Sequence, residues 1–593
     1  MTMLTRDEPD YKRVFLAVFL SAIVLISWQV TVEWPRRQAL SKLALEVTEK
    51  RAQEKVKHAE QGLSKNVIDS EDNSSLTREQ RIAATPRLSI VSEKLSGSIA
   101  LKGARFDDLT LTKHRETIEP NSPGVVLLSP NGDEKGFFAQ TGWVSADNKT
   151  KVPDQNSIWQ ADKKELKAGE TVNLHWKNSD NVTFILSVTL DQDYMFSIVQ
   201  KVENHSGHEI SIMPYGYINR TYTMPETTAF LHEGPLGAMD GTLNEVGYQE
   251  LKEKGNKTYE STNGWLGITD HYWLTALIPA AEHTKITYSH YSKNARERYQ
   301  VDYLSDARTI ASGASTENTT RLFSGAKEMQ LVDRYTKGDP ANHITAIPLF
   351  DRSLDLGSFY FLAKPMCEVV DYLYHATGNF GIALLIFIII VKMLMFPLAN
   401  KSYISMSQMR DLQPEMVKIR ERYVDDQIGM HKATRELYKR EKVNPASGCL
   451  PILIQVIVFL ALFRGLNVAI ELRHAPFYGW LQDLSAPDPS NLFTLFSLIP
   501  WETPRWLHLG FLPILYCVTM IIQTAQQPTP PDPVQAKMMK FMPYMMLFLF
   551  DSMASGFVLY WTWSNILSIM QQHVITKRHA AKKAAKAAAA AQP

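Results

Sequence analysis

Cysteine is scarce: Cys367, Cys449 and Cys517 are the three in 593 residues, and all lie in or beside the apolar half of the chain. That count gives no basis for a disulfide framework, and no paired-thiol spacing supports a zinc site. The three read as small buried hydrophobes. The large polar region lacks a phosphate-cradling glycine loop, a G-x-S-x-G and an H-E-x-x-H. His205 and His208 form an isolated H-x-x-H with no cysteine or carboxylate pattern to complete it, so they read as solvated turn histidines. No catalytic residue, metal or small-molecule cofactor is expected. Net charge is also nearly absent, at +1, and its distribution carries more information than its sum.

What is present is asymmetry. The first apolar run, Val14–Val32, follows Arg6, Lys12 and Arg13 and ends near Trp28 and Trp34. It is long enough to span, and longer than a signal-peptide core. Residues 1–35 therefore read as an uncleaved anchor with its amino terminus in the cytoplasm. Residues 36–84 are charged without a sustained apolar stripe and read as a linker. From 85 to 345 the pattern turns to period two. "VTFILSVTL", "YMFSIVQKVEN", "EISIMPYGYINR" and "WLTALIPA" are candidate strands with turn signals between them. One large antiparallel β-sandwich is expected. Residues 349–376 carry apolar groups at helical spacing, which fits an interfacial amphipathic helix or a helix packed on the sandwich.

The remainder orders itself by parity. A second span, 377–398, leads into a Lys/Arg-rich segment, 399–444, that alternates charge like a helical hairpin and belongs on the cytoplasmic side. Residues 445–572 hold four further spans, with an outer loop at 471–508 and an inner loop at 524–540. The last apolar stretch is too long for one pass, and "DSMASG" at Asp551–Gly556 breaks it into two. Asp551, at that outer turn, is expected to be solvated. The tail, 573–593, has Lys577, Arg578, Lys582, Lys583 and Lys586 and no acid, which places it inside.

Polar groups at membrane depth are the candidate site. A lysine at the bilayer centre costs roughly 3 kcal/mol even on the mildest scale. Lys392 lies about 9 Å from the inner end of its span at helical rise. Gln455 lies at a similar depth in the third span. Lys392 can snorkel and Gln455 can bond a neighbouring helix, or the two share one wet cavity open to the cytoplasm. In the last span Tyr560 and Ser564, and Trp561 and Asn565, are four apart and share helix faces. The tryptophans suit an aromatic belt, whereas Asn565 is too deep for that and needs a partner.

At these residues the chain resembles the YidC membrane protein insertase family of Gram-negative bacteria, in its long form, related to the mitochondrial Oxa and chloroplast Albino insertases. The stretches that carry the resemblance are "GNFGIALLIFIIIVKMLMFPLANKSYISMSQMRDLQPEMVKIRERY", "LYKREKVNPASGCLPILIQ", "ELRHAPFYGWLQDLSAPDP", "PPDPVQAKMMKFMP" and "SGFVLYWTWSNILSIMQQ", in family order. With the anchor, parity totals a six-span transmembrane α-helical bundle with both termini inside; the resemblance implies that five of these helices are its core, and that the periplasmic β-sandwich is like the sugar-mutarotase folds. It implies a hydrophilic groove open to the cytoplasm and to lipid but closed outside, with Lys392 as its basic residue and Gln455, Tyr560 and Trp561 facing it. Ser564 and Asn565 join the candidate groove set. The implied function is insertion and folding of nascent membrane proteins into the inner membrane, alone or with the Sec translocon. The lipid bilayer and the ribosome are further expected partners. Three positions depart from the family pattern: lysine replaces the usual arginine at 392, Ile457 stands where a proline often follows, and Ala554 precedes the Ser-Gly turn in place of proline. The alternatives are a secondary transporter or channel with an external binding domain, and an envelope enzyme acting on sugars. No internal repeat supports the transporter.

Overall fold

The computed structural model describes residues 76–590 except 147–148, 222–230, 281, 294–295, 343, 424–425, 442, 445–449, 495–498, 500, 502–503, 505–507 and 528–532. The expected anchor Val14–Val32, most of the linker 36–84 and Cys449 lie outside the described residues.

Alternation builds the sandwich. In the strand Val182–Leu190, Val182, Phe184, Leu186, Val188 and Leu190 are buried and the residues between them are not. Asp191 then turns the chain: its carboxylate accepts from the backbone N–H of Asp193 at 2.8 Å and of Met195 at 3.0 Å. The returning strand, Met195–Asn204, pairs antiparallel with Ser197 opposite Thr189. The segments "EISIMPYGYINR" and "WLTALIPA" likewise contain strands, Ile210–Arg220 and Trp273–Ile278.

Among the described residues the strands form an 11-stranded and a 9-stranded sheet. Aromatic pairs join them, Trp143 with Phe184 at 5.2 Å between centroids and Phe106 with Phe196 at 5.3 Å. The expectation of a purely antiparallel sandwich needs one correction: Arg87–Val91 pairs in parallel with Glu165–Lys167. The long excursion between those two strands returns the chain in the same direction, which a hairpin cannot do.

A helical region follows. Helix α1, Met329–Lys337, adds Met329, Leu331, Val332 and Tyr335 to the buried core. Helix α2, Tyr360–Thr377, is tied to it by Lys364, whose Nζ lies 2.7 Å from both Asp333 and Asp351. Ala363, Met366, Cys367 and Val370 are the buried face of α2, while Phe361 and Tyr372 stand exposed on the other. Gly378 ends α2 in the left-handed region at φ 68°, its N–H bonding Tyr374 O at 2.8 Å. Asn379 then caps helix α3, Phe380–Leu394, by accepting from the Ile382 N–H at 3.1 Å.

Helix α4, Phe396–Asp411, leaves α3 at a bend of 67°. The expected second span, 377–398, is thus two helices meeting at Met395, because Pro397 has no N–H to continue the ladder. The charged segment continues as α5, Gln413–Arg422, and α6, Gln427–Arg440, which Arg440 bridges to Glu415 at 2.6 Å. The last four helices are α7, Leu450–Val468, α8, Phe511–Ala525, α9, Pro533–Asp551, and α10, Ser555–Ala590.

Among the described residues no single helix is long and apolar enough to cross a membrane, whereas the bent pair α3 and α4 together is. At 1.5 Å per residue the 15 residues of α3 or α8 reach about 22 Å, short of a hydrocarbon core of about 30 Å.

Asp551 is not the solvated turn residue expected. It accepts from the Gly510 N–H at 2.8 Å and sits 3.0 Å from His508 Nδ1, so it ties the end of α9 to the start of α8. The unsatisfied amides at a helix amino terminus attract such a carboxylate.

Candidate functional site

Three helices converge on Lys392. It occupies the last turn of α3, and its Nζ donates to Gln455 Oε1 on α7 at 3.1 Å and to Ser568 Oγ on α10 at 2.8 Å. Gln455 uses its other end as well, with Nε2 donating to the Tyr560 hydroxyl at 2.5 Å. Gln571 Nε2 donates to the main-chain carbonyl of Lys392 at 3.3 Å. Lys392 and Gln455 are half-buried, while Tyr560, Ser564 and Ser568 are buried.

The electrostatics of this cluster are one-sided. An ammonium offers three donors, and two of them end on neutral oxygens. Among the described residues no carboxylate lies within 4.0 Å of Lys392 Nζ. A half-buried cation with no counter-charge among the described residues leaves a field that an incoming anionic or strongly polar group would satisfy. Packed aromatic rings bound the cluster on one side. Phe459, one turn beyond Gln455, lies 6.0 Å from Tyr560 and 4.7 Å from Trp561 between centroids, and Phe463 lies 4.7 Å from Phe557.

The structure divides the residues read from sequence. Lys392, Gln455 and Tyr560 form one hydrogen-bonded chain across three helices. Ser564 enters through its carbonyl, which accepts from Ser568 Oγ at 2.9 Å. Trp561 sits among rings instead, 6.3 Å from Phe550, with its Nε1 buried and unpartnered. Asn565 turns to α8 and donates to Thr519 Oγ1 at 3.3 Å. The sequence reading missed Ser568 and Gln571. Extending the four-residue ladder from Tyr560 through Ser564 by one step reaches Ser568 on the same helix face.

The residues offer no evident metal set: among those described no group of three or more His, Cys, Asp or Glu could hold an ion.

Comparison with known proteins covers nearly the whole chain. The family model described as the YidC periplasmic domain matches residues 87–369, and the one described as 60Kd inner membrane protein matches 372–583. A membrane protein insertase YidC of Rickettsia bellii is 42% identical over 565 residues, covering 95% of this chain and 98% of that relative. A crystal structure described as an active YidC insertase with its first transmembrane domain resolved aligns over 82% of this chain and 94% of its own, at 17% identity and a TM-score of 0.34. A galactose mutarotase-like protein from Lactobacillus casei aligns over 40% of this chain and 99% of its own, at 11% identity and a TM-score of 0.28.

Proposed function

The chain belongs to the YidC membrane protein insertase family, and we propose that the Lys392 cluster is where its client segments are first held. The family is one of insertases of the inner membrane with a periplasmic domain, not of enzymes, and insertion implies nascent membrane proteins as clients. A transporter or channel is not favoured by that membership.

The observation that carries the proposal is the ammonium of Lys392 resting on two neutral oxygens with no carboxylate beside it among the described residues. A nascent apolar segment enters from the cytoplasmic side, between α3, α7 and α10. Its acidic or polar flank meets Lys392 in a wet site of reduced dielectric. Transfer of the apolar part into lipid, at roughly 25 cal/mol per Å² of apolar area, then drives release. Tyr560 and Gln455 line the groove, Ser564 and Trp561 back it, and Asn565 holds α10 to α8. The rings of Phe459, Phe463 and Phe557 close it toward the periplasm.

In this reading the anchor and the helices after Gly378 make six spans with both termini in the cytoplasm. Short helices such as α3 and α8 fit a locally thinned bilayer. Residues 85–345 are the periplasmic sandwich, and α2 lies on the outer leaflet with Phe361 and Tyr372 in lipid. The charged segment 399–444 and the basic tail 573–593 receive the client and the ribosome, whose RNA a basic surface attracts. The Sec translocon is a second partner for larger clients.

The test is reconstitution of the full chain in liposomes with a short two-span client, with and without the translocon. Insertion by the chain alone is expected. No insertion unless the translocon is present would refute an autonomous groove.

A further inference from the structure

Ser568 is named above only as an oxygen beside Lys392, yet it makes the shorter of the two side-chain contacts to that residue. A serine hydroxyl has one proton and two lone pairs. Here the proton is directed at the Ser564 carbonyl, 2.9 Å away, one turn back on α10. The lone pairs are therefore turned outward, toward the ammonium at 2.8 Å. Gln455 is fixed in the same sense. Because its Nε2 donates to Tyr560, its Oε1 faces Lys392.

A lysine near the inner end of a span would otherwise extend its stem toward the headgroups, where its charge is hydrated and screened. We propose that Ser568 is a positioning residue that, with Gln455, holds the Lys392 ammonium inside the groove and leaves its third N–H for a client carboxylate. Ser568 thereby sets the insertase's selectivity for segments with an acidic flank. Lysine suits this arrangement. Its compact tetrahedral head can end on two single oxygens from different helices and still offer a third donor, whereas a planar guanidinium presents its donors in a fixed fork. The inference rests on the groove reading and assigns a further residue within it.

The test uses the full chain in liposomes and two matched single-span clients, one with an aspartate flank and one with asparagine in its place. The readout is the ratio of acidic-flank to neutral-flank insertion. Ser568→Ala is expected to lower that ratio about tenfold, the effect of losing a hydrogen bond to a charged group. Ser568→Thr, which keeps the hydroxyl, is expected to restore it. In a Lys392→Ala background Ser568→Ala should change the ratio no further, since the residue it positions is gone. A merely structural role would lower both clients together and leave the ratio unmoved, which would overturn the proposal. If Lys392→Ala leaves the ratio unchanged, the groove reading falls and takes the proposal with it. If Lys392→Ala lowers the ratio and Ser568→Ala does not, the positioning role alone is wrong.

Discussion

The amide of Gln455 donates to the Tyr560 hydroxyl at 2.5 Å and so couples the first third of α7 to α10. That bond decides which end of the amide faces Lys392. Tyr560→Phe keeps the ring against Phe459 and removes only the acceptor. It should cost about 1–2 kcal/mol through the stranded, half-buried donor. Thermal unfolding in detergent measures this. No loss would mean that the amide finds another partner and that the bond does not set its orientation.

Asp551 supports a separate prediction. Asp551→Ala removes the acceptor for the Gly510 N–H and the partner of His508. A loss of about 1–2 kcal/mol is expected, in the range of helix-capping changes, with Asp551→Asn intermediate. A loss confined to α8 and α9 would appear as faster hydrogen exchange there and not in the sandwich.

The contact between sandwich and helices predicts a pH dependence. Glu471, just beyond α7, accepts from the Met329 N–H of α1 at 3.4 Å. Burial, with Asp371 and Glu328 nearby, pushes its carboxyl up to about 7. The folded protein therefore keeps a proton that the unfolded chain releases above roughly pH 4.3. Stability falls as pH rises from there toward 7 and then levels, by at most about 1.4 kcal/mol per pH unit from this group. Glu471→Gln should flatten that part of the profile. An unchanged slope in the variant would show that other groups carry it.

Close approach of α2 and α7 gives a fourth test. A Cβ on Gly465 would lie 2.1 Å from Cys367 Sγ, so only glycine permits the observed contact. Gly465→Val should destabilise by at least the roughly 1–3 kcal/mol typical of overpacking. Adding Cys367→Ala should return part of it, as coupled neighbours do. Purely additive effects would contradict the contact.

Local signals in the sequence were strong where the physics is local. Period-two alternation located Val182–Leu190 residue for residue, because one face of that strand is core. The "DSMASG" turn separates α9 from α10. What the sequence did not disclose depends on partners far along the chain. Asp551 looks like any turn acid until Gly510 and His508 are brought to it. Ser568 is one serine among many until Lys392, 176 positions earlier, reaches its oxygen. The bend at Met395 was hidden for a different reason. Hydropathy runs unbroken through "KMLMFPL", and the proline there reads equally as the end of a span.

The central claim is that Lys392 supplies positive charge to a client in the groove. The most direct measurement is insertion of an acidic-flank client by full-chain Lys392→Glu in liposomes, beside Lys392→Arg and Lys392→Ala. Arginine should preserve insertion, alanine should lower it, and glutamate should lower it most, by repulsion between like charges. Insertion of that client by the glutamate variant at the level of the unaltered protein would contradict the claim.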